Sequence, residues 1–170
     1  MNRLRSCWER HFLPAELGVA VAATLVFVAW ATFFGGQIQI QELLEGNRTD
    51  VYGALASVSG ALLGFTITAI SIALGYAQSD RLAIVRESPH YPTLWAVFAS
   101  ANRALAMATV FSLVGLAIDR DIAPTPGIQY ITVFAVLLSS LRLGRCIWVL
   151  DNVVGLVTAE SKARPAGDKQ

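Results

Sequence analysis

The chain has 170 residues, of which 55% are hydrophobic and only 15% charged, with a mean hydropathy of +0.54; soluble domains carry about 25% charged residues. That composition excludes an ordinary soluble globule, and the long apolar runs leave no room for a separate soluble domain. A net charge of +1, with basic residues scattered rather than gathered into a stripe, gives no footprint for nucleic acid.

Residues 1–13, MNRLRSCWERHFL, carry Arg3, Arg5 and Arg10 and precede an apolar run from Leu17 to Phe34. The start is like a secretory signal, but the run is too long and no A-x-A type site follows it. It reads as a retained first span, with Pro14 near the first turn, where a missing N–H costs nothing. The connection GGQIQIQELLEGNRTD, Gly35 to Asp50, is polar and acidic, with room for a short interfacial turn of helix.

The second span is the most asymmetric stretch of the chain. Gly53, Ser57, Gly60, Gly64, Thr68, Ser71 and Gly75 recur at helical spacing and form a seam of small residues, including the GALLG of Gly60 to Gly64. Small-xxx-small spacing lets two helices approach closely in lipid, where packing drives association. The seam therefore predicts a buried packing surface, with this helix as the central contact of the bundle or the lining of a path. After it, AQSDRLAIVRESPHYPT predicts a turn or two of charged helix broken at Pro89 and Pro92. The third span follows, then a tight turn on Pro124 and Pro126, then a fourth helix that continues beyond its span.

The pattern predicts an all-α integral membrane protein, a four-helix transmembrane bundle with spans at 15–36, 51–76, 93–118 and 128–150. Residues 1–160 form one domain, and the polar tail 161–170 reads as disordered. Arg3, Arg5, Arg10, Arg81, Arg86, Lys162, Arg164 and Lys169 fall on one side, against Arg48 and Arg120 on the other. The positive-inside rule then places both termini in the cytoplasm, in a bacterial cytoplasmic membrane. Trp8, Tyr76, Tyr91, Trp95 and Trp148 mark one interface and Trp30, Tyr52 and Tyr130 the other.

Three arginines lie within the spans and call for an account. With Trp95 and Trp148 as interface markers, Arg103 lies ~12 Å inside, Arg142 ~9 Å and Arg145 under about 5 Å. Arg103 neighbours Asn102 and shares a face with Ala96, Ala99, Ser100 and Ala106; Arg142 shares one with Ala135, Ser139 and Cys146. Both are expected to point into the bundle, so Arg103 should matter more than Arg145, which can snorkel to water. Glu16, Asp151, the hydroxyls of Thr68 and Ser71, or a bound anion are the candidate partners. One reading is a polar network neutralised by Glu16 and lipid phosphates; the other is a site for an anionic head group or small anion.

On the outer side Glu42, Glu45, Asp50, Asp119 and Asp121 outnumber Arg48 and Arg120, an acidic rim that suits a pore mouth or simply follows from the positive-inside rule. Asn47-Arg48-Thr49 matches a glycosylation acceptor but abuts a span, and is discounted. Cys7 and Cys146 have no partners at metal-ligand spacing, and His11 and His90 fall in connections outside any H-E-x-x-H motif. No catalytic, metal or cofactor site is expected, and an enzyme is the least favoured class.

The run SGALLGFTITAISIAL, Ser59 to Leu74, followed by DRLAIVRES, Asp80 to Ser88, resembles short four-span proteins of bacterial inner membranes. The resemblance implies that architecture, covers a minor part of the chain and carries over no functional residue. Function is expected to be that of an accessory protein in contact with helices and lipid, self-associating or bound to a membrane partner. The alternative is a homo-oligomeric ion or solute channel or transporter lined by the seam. For the topology, reporter fusions at Ser88 and Gln170 should read cytoplasmic and fusions at Glu45 and Thr125 external; one reversed reporter overturns the assignment.

Overall fold

The computed structural model describes residues 2–77, 91–119 and 124–163. Among them there is no strand, and five helices follow in order: α1 (Asn2–Phe33), α2 (Gly36–Leu44), α3 (Arg48–Ala77), α4 (Tyr91–Ile118) and α5 (Pro126–Ala163). Four are long and apolar enough to cross a membrane, over Pro14–Phe33, Arg48–Ile72, Trp95–Ile118 and Pro126–Asp151. The charged helix expected around Asp80 to Ser88, and with it Arg81 and Arg86, lies outside the described residues.

The polar connection after the first span forms α2, a helix of 9 residues bracketed by Gly35 (φ 70°) and Gly46 (φ 74°). Both turns need the left-handed backbone that glycine adopts without strain. The Trp30 ring lies against Gly36, so α2 folds back on the end of α1. Pro126 opens α5 as its first helical residue, where the absent N–H is no loss. Pro14 behaves otherwise: α1 is already helical from Asn2, so Pro14 lies inside it rather than in its first turn. There it removes one internal hydrogen bond, a site where helices bend. α5 is helical through Ala163, past the expected start of the tail; 164–170 lie outside the described residues.

The spans stand in an open row. α3 packs on α4, α4 on α5, and α5 on α1; among the described residues no comparable packing closes α1 onto α3. The centre is therefore α4 with α5, and α3 is an end helix rather than the central one. α4 carries the small-residue stripe that does the packing: Ala101, Ala104, Ala108, Ser112 and Gly115, all buried and at helical spacing. Ala101 joins Val97, Phe98 and Cys146 in one cluster, with Ile70 of α3 against it. Ala104 joins Leu138 and Ala20 of α1 in the other, with Phe134 beside them.

The seam on α3 is mostly turned away from this core. Ser57, Gly64, Thr68 and Ser71 are exposed, Gly53 and Gly60 half-buried, and the surroundings of Gly75 are not described. A Cβ at Gly60 would meet Thr109 at 3.8 Å, an ordinary contact, and one at Gly64 would meet nothing within 4 Å. The buried face of α3 is instead Tyr52, Ala56, Ser59 and Thr66. Within one chain the seam is thus not the packing surface that its spacing predicts.

One buried ion pair ties three helices together at the α2 end of the row. Arg48 Nη1, at the start of α3, donates to both oxygens of Asp119, just past α4, at 3.1 and 3.0 Å. Their side chains are 4% and 0% exposed. Asp119 Oδ2 also accepts from Tyr52 Oη at 2.8 Å and Gln129 Nε2 at 3.0 Å, and Oδ1 from the Thr125 N–H at 2.7 Å. Neither Arg48 nor Asp119 belongs to an exposed acidic rim, and Tyr52 is buried rather than an interface anchor; Glu42, Glu45 and Asp50 are exposed, and Arg120 and Asp121 lie outside the described residues. Burial opposes ionisation of Asp119, but the Thr125, Gln129 and Tyr52 hydrogen bonds and the Arg48 charge together hold its carboxyl below the usual carboxylate range.

A carboxylate with a lowered folded pKa stabilises fully above its unfolded value, about 3.9, and the contribution is lost as pH falls through the folded value. Asp119→Asn should therefore flatten the acid limb of thermal stability measured in detergent. Asp119→Ala, which strands a buried guanidinium, should cost ~3–5 kcal/mol, and Tyr52→Phe ~1 kcal/mol. Gly115→Ala should behave like a packing defect of ~1–3 kcal/mol, because a Cβ there overlaps the Tyr52 ring. An unchanged acid limb in Asp119→Asn would overturn the account.

Candidate functional site

The three intramembrane arginines take three different positions. Arg145 of α5 forms an ion pair through Nε with Glu16 Oε1 of α1, in a partly buried setting. This places Glu16, near the start of the first span, and Arg145, near the end of the last, at the same level of the row. Arg142, one turn deeper on α5, reaches α4: its Nη1 donates to the Ser100 carbonyl at 3.4 Å. Glu16 and Arg103 both lie within electrostatic range of Arg142.

Arg103 corrects the expectation that it points inward. It is exposed, and its Nε donates to the carbonyl of Ala99 on its own helix at 3.2 Å. The face it shares is turned outward at Ala96 and Ala99, while Ser100 and Ala101 are buried. The stripe that packs is rotated from it. The neighbouring Asn102 is bound elsewhere: its Oδ1 accepts from Thr66 Oγ1 of α3 at 2.5 Å, linking α3 to α4 in the apolar interior. Thr66 is the partner that sequence reasoning missed, since one threonine among the small residues of α3 carries no distinguishing signal.

Thr68 and Ser71 do not serve the arginines. Both are exposed, and their hydroxyls donate to the Gly64 and Ile67 carbonyls one turn back, at 2.9 Å each. Asp151 is exposed on α5 beyond Trp148. Of the candidate set the structure thus gathers Glu16, Arg142 and Arg145 between α1, α4 and α5, with Arg103 at the edge, and sends Asn102, Thr68 and Ser71 elsewhere.

The gathered group is incompletely satisfied. Glu16 Oε2 and Arg142 Nε are both buried without a hydrogen-bond partner among the described residues. Beside them lies a cleft of about 280 Å³ between α1 and α5, lined by Glu16, Leu141, Gly144, Arg145 and Trp148. A second cleft of about 250 Å³ lies at the opposite end, between Ile38, Gln41, Glu42, Glu45, Arg48 and Pro124. Among the described residues no group of three or more His, Cys, Asp or Glu could hold a metal ion; Cys146 is a buried free thiol.

The geometry reverses the expected order of importance among the arginines. Arg103→Ala should change thermal stability little, within about 0.5 kcal/mol, as for a surface side chain. Glu16→Gln should cost more, ~3 kcal/mol, because Arg145 loses an ion-pair partner and Arg142 a nearby negative charge. Unfolding in detergent of the two variants decides it, and a larger loss for Arg103→Ala would overturn this arrangement.

Comparison with known proteins adds no relative: no family model, no curated protein and no solved structure matches this chain.

Proposed function

We propose that this chain is an accessory protein of a bacterial cytoplasmic membrane, both termini inside, that works by contact with other transmembrane helices and with lipid. The observation that carries the reading is the open row. Among the described residues its two end helices, α1 and α3, leave most of their surface uncovered, and on α3 that surface holds Ser57, Gly64, Thr68 and Ser71. Small and hydroxyl-bearing residues on a lipid-facing helix suit close approach by a second helix, a second copy of this chain being the simplest partner. The reading includes no reaction.

The competing reading, a homo-oligomeric channel or transporter lined by the same seam, would need the path to be built between copies, since among the described residues of one chain Ser57, Gly64, Thr68 and Ser71 face outward. Gly64→Leu separates the possibilities, because the open space there lets the fold accept the larger side chain. The variant should keep the thermal stability of the parent and lose self-association, read by light scattering in detergent and by cross-linking in liposomes. Equal oligomer size in both proteins would show that α3 meets lipid alone, and ion flux in liposomes abolished by Gly64→Leu would favour the channel.

A further inference from the structure

We propose that Glu16 is a two-position latch on α1: it engages Arg145 in this structure and Arg142, one turn deeper on α5, in a second arrangement in which α1 has shifted along α5 toward the α2 end. The first ground is hydrogen bonding. Glu16 engages Arg145 through Oε1, while its Oε2 and the Arg142 Nε–H are both buried without a hydrogen-bond partner among the described residues. One is an acceptor and the other a donor, so a single rearrangement satisfies both. Glu16 already lies within electrostatic range of Arg142.

The second ground is depth. Arg142 stands about 4.5 Å deeper than Arg145, three residues along the helix, and the bond from its Nη1 to the Ser100 carbonyl is long, at 3.4 Å. The carboxylate thus sits with the arginine that needs it less, because Arg145, nearer the end of its span, reaches water by snorkelling more readily than Arg142 does. The third ground is freedom to move. α1 joins the row by the smaller contact, and no heavy atom lies within 4 Å of where a Cβ would be at Gly18 or Gly144. The cleft of about 280 Å³ leaves Glu16 space beside Leu141. Pro14, two residues before Glu16, removes an internal hydrogen bond at a point where α1 can bend.

With Glu16 on Arg142, one chain of contacts joins α1 to α5 and on to α4, from the carboxylate through the guanidinium to the Ser100 carbonyl. With Glu16 on Arg145, as in this structure, the cleft between α1 and α5 stays open. The latch therefore sets how firmly the first span is held against the other two. It uses no part of the α3 surface, so it does not depend on association through that helix.

Nitroxide labels would be placed at Val19→Cys on α1 and Ile131→Cys on α5, both exposed positions, in a chain carrying Cys7→Ser and Cys146→Ala. Their separation is read by pulsed EPR, and thermal unfolding in detergent is followed on the same proteins. Ile131 lies toward the α2 end, so a shift of α1 in that direction brings the labels together. Arg145→Gln should transfer Glu16 to Arg142 and shorten the separation by about 4 Å, most of the axial offset between the two arginines. Arg145→Lys keeps a cation at the first position and should hold the parent distance, as should Arg142→Gln. Arg145→Gln should also show less than half of the fall in Tm of the double variant Arg142→Gln/Arg145→Gln, because Glu16 still has a partner. An unchanged distance in Arg145→Gln, the same shortening in Arg145→Lys, or a fall in Tm for Arg145→Gln as large as that of the double variant would each overturn the proposal.

Discussion

The structure depends first on what a buried carboxylate demands. Asp119 is cut off from solvent at the end of an apolar helix, so its charge has to be matched by protein groups. Five donor contacts do this, from Arg48, Tyr52, Gln129 and the Thr125 backbone. Those donors come from the first two turns of α3, the connection after α4 and the first turn of α5. Satisfying one side chain therefore fixes the relative positions of three of the four spans at that end. Gly115 completes the arrangement by giving the Tyr52 ring its place against α4.

Away from that end the row is held by proximity. Lipid is as apolar as the core, so burial of apolar surface supplies little force between the spans, and contact area at short range has to supply it. Ala101, Ala104 and Ala108 of α4 and Ala135 of α5 are almost fully buried and small enough for that. The Thr66–Asn102 hydrogen bond adds a specific link between α3 and α4. α1 joins by a smaller contact, Ala20 against the α4–α5 seam and Phe27 edge-on to Tyr130 at 6.1 Å.

The number of long apolar helices and the helical segment in the first connection were legible, because each depends on local composition and turn chemistry, whereas Pro126, read as part of the turn, instead opens α5. The arrangement of the spans was not. On a soluble helix polarity separates the inner face from the outer one, whereas in a membrane both faces are apolar and only residue size distinguishes them. Two stripes of small residues compete here, Gly53 to Gly75 on α3 and Ala101 to Gly115 on α4, and the glycine-rich one is the more conspicuous. The alanine-rich one packs. Size shows that a close approach is possible without naming the partner. The Arg48–Asp119 pair was hidden for a different reason: its members are 71 positions apart and each lies beside a span, where a charge reads as part of a loop. At the other end Glu16 was foreseen among several candidate partners because it lies near the end of the first span, but the outward turn of Arg103 depends on helix rotation that its neighbours did not reveal.

The two ends of the row consequently differ in what they leave open. At the α2 end every oxygen of Asp119 is engaged, so an added ligand would have to displace a bond already made. At the other end Glu16 engages Arg145 through one oxygen, and two polar atoms, Glu16 Oε2 and Arg142 Nε, are buried without hydrogen-bond partners among the described residues. A buried polar atom lacking a partner costs about 1–3 kcal/mol, a cost that a rearrangement bringing the Glu16 acceptor to the Arg142 donor would lower. The saturated end anchors three spans to one another. The unsaturated end involves α1, the span attached by the smaller contact, so that rearrangement would act on the part of the row that is held least tightly.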